Sequence, residues 1–247
     1  MIRQQLARAW AIARKDIRVY YLKPPLISWG MLFPVVMILA FYVRSPGDMR
    51  TVAPGLIGMT VLFGATSMEA VVIAFEKRIG AMERLMMAPI SPAALVAGKA
   101  ASGALFGAAT GSIVWLLSVV AWGLPFRPVG TLLAILLGSI AFSLMGVIIS
   151  LLMKEVFDAM TLSNVFRFPM VFLCGVFSPV AALPRALTFV ARALPLTYTV
   201  EALRHLLLGG LGTSAPLAVD LIASVLFAAG LYWAALKLME HRLEDLI

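Results

Sequence analysis

VAPGLIGMTVLFGATSMEAVVIAFEKRIGAMERLMMAPIS (52–91) joins a long apolar run to a short charged segment that Pro89 and Pro92 close. The run 52–75 contains one charge, Glu69. A helix rises about 1.5 Å per residue and the hydrocarbon core is roughly 30 Å thick, so about 20 apolar residues cross it. Residues 52–75 meet that length, and so do 26–43, 94–122, 129–153, 162–180 and 216–238. Hydrophobic residues make up 62% of the 247-residue chain and charged residues 13%, too little polar surface to cover a water-soluble domain of this size. The expected fold is an all-α integral membrane protein with six transmembrane helices in one domain, 1–247. The stretch 183–211 is apolar too, but Pro184, Pro195, Gly209 and Gly210 interrupt it and Arg185, Arg192, Glu201, Arg204 and His205 stud it. It reads as a re-entrant or interfacial pair of short helices, since irregular backbone at membrane depth needs protein or a watery cavity around it.

Lys and Arg set the orientation. Arg3, Arg8, Arg14, Lys15, Arg18 and Lys23 precede the first span. Lys77, Arg78 and Arg84 lie between the second and third, with Lys99 just inside the third. Lys154 follows the fourth span, and Lys237 and Arg242 follow the sixth. Six crossings put all of these on one side, against Arg44, Arg50, Arg127, Arg185, Arg192 and Arg204 on the other. The expectation is a multi-pass inner (plasma) membrane protein with both termini cytoplasmic. The net charge of +8 is then a topology signal rather than a nucleic-acid footprint.

Residues 1–24 carry apolar positions Leu6, Ala9, Ala13 and Ile17 at helical spacing, with arginines between them and no small-residue cleavage site after. The pattern suits a helix in the headgroup plane of the membrane lipids, with Trp10, Arg14, Lys15, Asp16 and Arg18 as its interface residues. Gly103, Gly107 and Gly111 form a small-residue ridge on the third span, for packing within the chain or against a second copy. Glu69 and Arg167 are opposite charges at similar depth inside spans. Isolated, each costs a few kcal/mol. They either pair or face a hydrated pathway.

Catalytic readings find little support. Two histidines, His205 and His241, offer no metal-ligand spacing, and no G-x-S-x-G elbow occurs. Gly98-Lys99 echoes a phosphate loop, but Ala93 and Ala100 stand where its glycine and hydroxyl belong. The lone Cys174, placed inside the fifth span, forms no internal disulfide. Segment 75–91 puts Met82, Leu85 and Met86 on one helical face beside a charged turn, either a docking element for a partner groove or a solvated loop.

At these residues the chain resembles the ABC-2 permeases, the membrane subunits of type-2 ABC exporters, over nearly its whole length. The connection 76–91 is similar to the family pattern E-[RK]-E-x-G-T-x-E-x-L-x-x-x-P-[IV]-S at Glu76, Gly80, Glu83, Leu85, Pro89, Ile90 and Ser91, and departs from it at Arg78 and Ala81. Phe33-Pro34, FSPVAALP (177–184) and PLTYTVEALR (195–204) resemble further family motifs, with Leu194 in place of the usual asparagine. The resemblance implies a permease pair, homodimeric or heterodimeric, above two separate ATPase subunits that bind ATP and Mg. This chain itself would hold no cofactor and catalyse nothing. The coupling helix would be 76–89, with Glu76, Arg78, Gly80, Met82, Glu83, Arg84, Leu85 and Met86. The helix pair 183–211 would be the external gate, with Pro179, Pro184, Pro195, Tyr198, Glu201 and Arg204. The compact chain is most similar to the drug-resistance and nodulation-factor subtype, which implies an amphipathic drug-like, lipid or lipid-linked saccharide substrate. An ATP-independent secondary transporter or channel is the alternative, though no internal repeat speaks for it.

Overall fold

The computed structural model describes residues 2–21, 24–153 and 155–244. Lys23 and Lys154, which entered the charge balance, lie outside the described residues. All regular structure among the described residues is helical. The centre is α3 (Met49–Arg78), a helix apolar on every side. From 52 to 74 every residue but Val71 is buried, as an all-round hydrophobic helix requires. Around it stand α2 (Pro24–Arg44), α5 (Pro92–Trp122), α6 (Pro128–Leu152), α7 (Val156–Leu173) and α9 (Pro195–Leu208). The last long helix, α10 (Leu217–Glu244), packs on α6 and α9. Two shorter helices complete the chain before and after α3: α1 (Ile2–Asp16), which a π-helical turn at Ile17–Tyr21 prolongs and which lies on α5, and α4 (Ala81–Met86). A third, α8 (Arg185–Arg192), precedes α9.

Five of these helices, α3, α5, α6, α7 and α10, are long and apolar enough to cross a membrane. The expected first span coincides with α2, a 21-residue helix whose described apolar part is Met31–Arg44. The fifth helix sits earlier than its hydropathy suggests. Sequence reading places it at 162–180, but α7 begins at Val156 and ends at Leu173. Its first turn contains Asp158, which hid it from an apolar-run criterion. Gly175 at φ +84° then turns the chain, so Cys174 lies just past the helix, fully buried.

The ridge Gly103, Gly107 and Gly111 of α5 faces α3 of the same chain. A Cβ on Gly107 would sit 2.7 Å from the Ala65 Cβ. The region 183–211 does form two short helices, but α9 is an interior element. Thr199 and Leu206 fill the notches left by Gly138 and Gly130 of α6, and Val200 that of Gly58 on α3. Helix starts and stops follow local chemistry: the Ser91 hydroxyl accepts from the Ala94 amide at 3.2 Å, Pro92 opens α5, and Gly123 at φ +63° ends it.

These contacts predict opposite outcomes for two helical glycines. Gly107→Val forces α5 away from α3 and should cost about 1–3 kcal/mol, the usual range for overpacking. Gly230→Ala on α10, where nothing lies within 4 Å of the added carbon, should be neutral or stabilising by up to about 1 kcal/mol. Thermal unfolding of the purified variants in detergent checks both.

Candidate functional site

The charged groups gather at the end of the bundle where α1, α3, α4 and α5 meet. Helix α1 buries Ala9, Ile12, Ala13 and Asp16, a spacing of three and four that draws one stripe along it. Its neighbour is α5 at Gly98, where a Cβ would stand 2.7 Å from the Ala9 carbonyl oxygen. Beneath this stripe four charges close a ring. Lys99 of α5 donates to Asp16 Oδ2 at 2.8 Å and to Glu76 Oε2. Lys15 donates to Glu76 Oε1 and faces Asp16 Oδ1 at 2.9 Å. Each ammonium bridges both carboxylates, so the ring is neutral. The side chains of Asp16, Glu76 and Lys99 are fully buried and that of Lys15 is partly exposed. Burial pulls the Lys15 ammonium toward the neutral form, but the hydrogen bonds to Glu76 and Asp16 outweigh it and hold its pKa above the ordinary lysine value.

The ring takes up three of the residues expected at a partner or at the headgroups. Glu76, expected at a docking surface, is fully buried here with both its oxygens facing lysines inside the protein. Asp16, expected at the headgroups, is fully buried in the ring, while Lys15 takes part in the ring and keeps a partly exposed side chain. Of the expected interface set, Trp10, Arg14 and Arg18 are exposed, with Leu6 beside Trp10. Two signals could have revealed the ring: a lone lysine inside an apolar helix, and a lone acid in a basic one.

Past Arg78 the chain turns at Gly80, whose φ of +67° only glycine adopts without strain, and starts α4. The apolar face of α4 points inward. Met82 is buried with Ile12, Ile73 and Leu95, and Leu85 and Met86 are half-buried against the same cluster. Of the expected partner contacts, Met82 is covered by this chain's own packing, while Leu85 and Met86 pack on it in part and stay partly exposed. The outward surface is Arg78, Ile79, Arg84 and Met87, the last 87% exposed. Glu83 is half-buried beside the Gly80 turn. Arg8 donates to the Pro89 carbonyl and Gln5 accepts from the Ser91 amide at 3.1 Å, so α1 also clasps the end of this segment. Lys77 and Arg242 cap the last carbonyls of α6: Lys77 donates to Met153 O at 3.0 Å and Arg242 to Leu151 O at 3.0 Å.

Glu69 and Arg167 do not form the expected pair. The Arg167 Nε donates to Thr66 Oγ1 at 2.8 Å and its Nη1 to Asn164 Oδ1 at 3.3 Å. The guanidinium lies 5.2 Å from the Phe63 ring centre. Glu69 is turned toward α5, where it accepts from Ser102 Oγ at 2.8 Å and where a Cβ on Gly103 would meet its Cγ at 2.7 Å. Thr66 and Glu69 are three residues apart and so neighbours on α3, but the Arg167 Nε bonds the first from α7 while the second is held by Ser102 of α5, so similar depth did not imply contact. Arg167 borders a cavity of about 480 Å³ between α2, α3 and α7.

At the opposite end, Arg204 donates to the Gly175 carbonyl at 2.8 Å and Tyr198 to that of Arg192 at 2.7 Å. Glu201 accepts from Ser214 Oγ at 2.8 Å. Pro179 packs against Gly212, Pro184 precedes α8, and Pro195 opens α9. The six expected gate residues thus tie α8, α9 and the loops at 174–180 and 209–216 together. Sequence reading noted His205 there but missed Asp220; the imidazole lies 3.6 Å from the buried carboxylate of α10.

Comparison with known proteins gives a consistent result. The profile of the ABC-2 type transporter family matches residues 7–208. The chain is 28% identical over 214 residues to the probable multidrug ABC transporter permease YbhS of Escherichia coli (strain K12), covering 83% of this chain and 56% of that protein. It is 26% identical over 236 residues to the inner membrane transport permease YadH of the same strain, covering 91% and 89%. The chain thus spans about half the length of YbhS and most of YadH.

The ring predicts that Lys99→Met leaves two buried carboxylates sharing one lysine. Removing one partner of a buried pair costs about 3–5 kcal/mol. The single variant should unfold well below wild type, and Asp16→Asn added to it should recover part of the loss, as followed by thermal unfolding in detergent.

Proposed function

The chain belongs to the ABC-2 type transporter family, and on that premise we propose that it is the membrane-spanning permease subunit of an ATP-driven exporter. The observation that carries the reading is the site at the α1/α4 end: a solvent-facing patch, Arg78, Ile79, Arg84 and Met87, rests on a short helix clasped by α1 and rooted in α3. Such a patch suits a groove on a separate ATPase subunit that binds ATP and Mg, while this chain contributes no catalytic group. A push on it reaches α3 and α5 through the ion ring and the Met82 cluster. Rim arginines steer, and an exposed apolar side chain supplies the anchor. The apolar outer faces of α2 and α7, with Leu39, Val43, Phe157 and Phe172 exposed, fit lipid or a second permease subunit, identical or not. Helix α2 serves as the sixth span, both termini lie in the cytoplasm of a multi-pass inner-membrane protein, and α8 and α9 form the external gate. The substrate is an amphipathic drug-like, lipid or lipid-linked saccharide molecule. YbhS, described as a probable multidrug permease, supports the first of these.

Co-expression with candidate ATPase subunits, followed by ATPase assay in lipid, tests the assignment. A stable complex with substrate-stimulated hydrolysis is expected; the absence of any ATPase partner overturns it. Within such a complex, Met87→Asp should weaken ATPase binding about tenfold or more, in line with loss of an interface anchor. Leu85→Asp is the less specific variant, since Leu85 packs on the chain's own core. Full binding and full transport by Met87→Asp would remove α4 from the interface.

Orientation is tested separately with single cysteines, because the native Cys174 is buried and silent. A cysteine at Asp48 should react with a membrane-impermeant maleimide from outside in intact cells, and one at Arg84 only after the membrane is opened. The reverse pattern would invert the topology.

A further inference from the structure

The cavity beside Arg167 has the size of a small-ligand site, about 480 Å³ within the usual 300–1,000 Å³. Its walls are Leu32 and Val36 of α2, Phe63 and Met68 of α3, and Phe168 of α7. Leu32 and Val36 are more than half exposed, so the cavity opens at the α2 surface rather than being sealed. Its polar groups are few and grouped: Ser67, Asn164 and Arg167. This is the chemistry of an amphiphile, an apolar chain with one polar group whose place is fixed.

Arg167 fixes the sign of that group. Its two hydrogen bonds go to neutral acceptors, Thr66 and Asn164. They lock the plane of the guanidinium, which the Phe63 face supports, but they bring no counter-charge. The acid one turn along α3, Glu69, points to α5 instead. Among the described residues Nη2 carries no hydrogen bond, which leaves one edge of a rigid fork for a ligand. A planar, pre-oriented guanidinium in apolar surroundings is matched by phosphate or carboxylate oxygens. A charge kept inside a membrane domain marks a functional position when no structural counter-ion accounts for it.

We propose that this cavity binds an amphiphile bearing a phosphate or carboxylate group, with Arg167 as its counter-charge and the α2, α3 and α7 side chains around its chain. The proposal deepens the permease reading and rests on it for the meaning of the site as a place on the transport route. The binding itself does not depend on an ATPase.

The test uses the full chain in nanodiscs of phosphatidylcholine and a photoreactive dodecyl phosphate that carries a diazirine in its chain. Cross-linked peptides should map to α3 or α7. Arg167→Gln should lower labelling about tenfold to a hundredfold, the loss of one or two charge-assisted hydrogen bonds, and Arg167→Lys should fall between. A dodecyltrimethylammonium probe should label these helices weakly. Competition by unlabelled dodecyl phosphate marks an exchangeable single-chain ligand; competition only by added phosphatidylglycerol marks a bilayer lipid as occupant, and either keeps the anionic site. Val36→Trp, at the open edge and not a partner in the hydrogen bonds, should fill the cavity and abolish labelling with unchanged thermal unfolding, which decides the matter if Arg167→Gln does not insert. Equal labelling by the cationic and anionic probes, or full labelling of Val36→Trp, overturns the proposal and leaves Arg167 as a brace between α7 and α3. The assay contains no ATPase and no nucleotide, so its failure and the failure of the permease assignment are read independently.

Discussion

The charge of Lys99 cannot be solvated where it sits, and the packing of three helices follows from that. An ammonium in an apolar helix needs counter-charges, and the two available ones lie on different elements: Asp16 on α1 and Glu76 at the end of α3. Lys15 then balances the second negative charge. The resulting ring fixes the height of α1 on α5 and the point at which α3 can end. Breaking any one partner strands a buried charge, which is why the geometry tolerates little drift. The ring is a restraint on geometry more than a source of net stability, since desolvating three charges fully and Lys15 in part offsets much of their attraction.

That restraint places α4 as well. With α3 ended near Arg78 and α1 held on α5, the short helix after Gly80 has one apolar surface within reach, the cluster of Ile12, Ile73 and Leu95. Met82 fills it. The face left outward is small and basic with two apolar side chains, Ile79 and the more exposed Met87. A displacement of this patch therefore acts on a rigid junction of α1, α3 and α5 rather than on a loose loop. The glycine ridge of α5 extends the junction into the bundle, because backbone contact at Gly107 leaves no side-chain slack between α5 and α3.

The far side of α3 is built differently. There the walls are large aromatic side chains, Phe33 stacked on Phe63 at 4.7 Å and Phe168 edge-on at 5.5 Å, and they leave space between them. One central helix thus has a tight face toward α5 and α6 and a spacious face toward α2 and α7. Thr66 and Glu69, neighbours a single turn apart at the border of these faces, take different partners: one holds Arg167 at the cavity, the other is turned to Ser102. Motion of α3 as a body would couple the basic patch at one end to the cavity on its flank.

The helical membrane fold was legible in the chain because lipid imposes a length and a hydropathy that no other environment demands. The position of the segment after α3 was legible too, from Gly80 and the prolines that close it, and so was the division of 183–211 into two helices. Three things were not. The burial of Met82 on α4 was one, since an amphipathic stripe shows that a face is buried but not whether the chain itself or a partner buries it. The start of α7 was hidden by Asp158, because hydropathy measures runs and not backbone. The ion ring and the separation of Glu69 from Arg167 depend on which side chains three distant helices turn toward one another, a property of azimuth and packing that depth along a span does not encode. The sequence by itself determined that the chain lies in a membrane and where its helices run; the tertiary structure alone decided which charges neutralise each other, because a contact between residues 16, 76 and 99 exists only once α1, α3 and α5 have closed together.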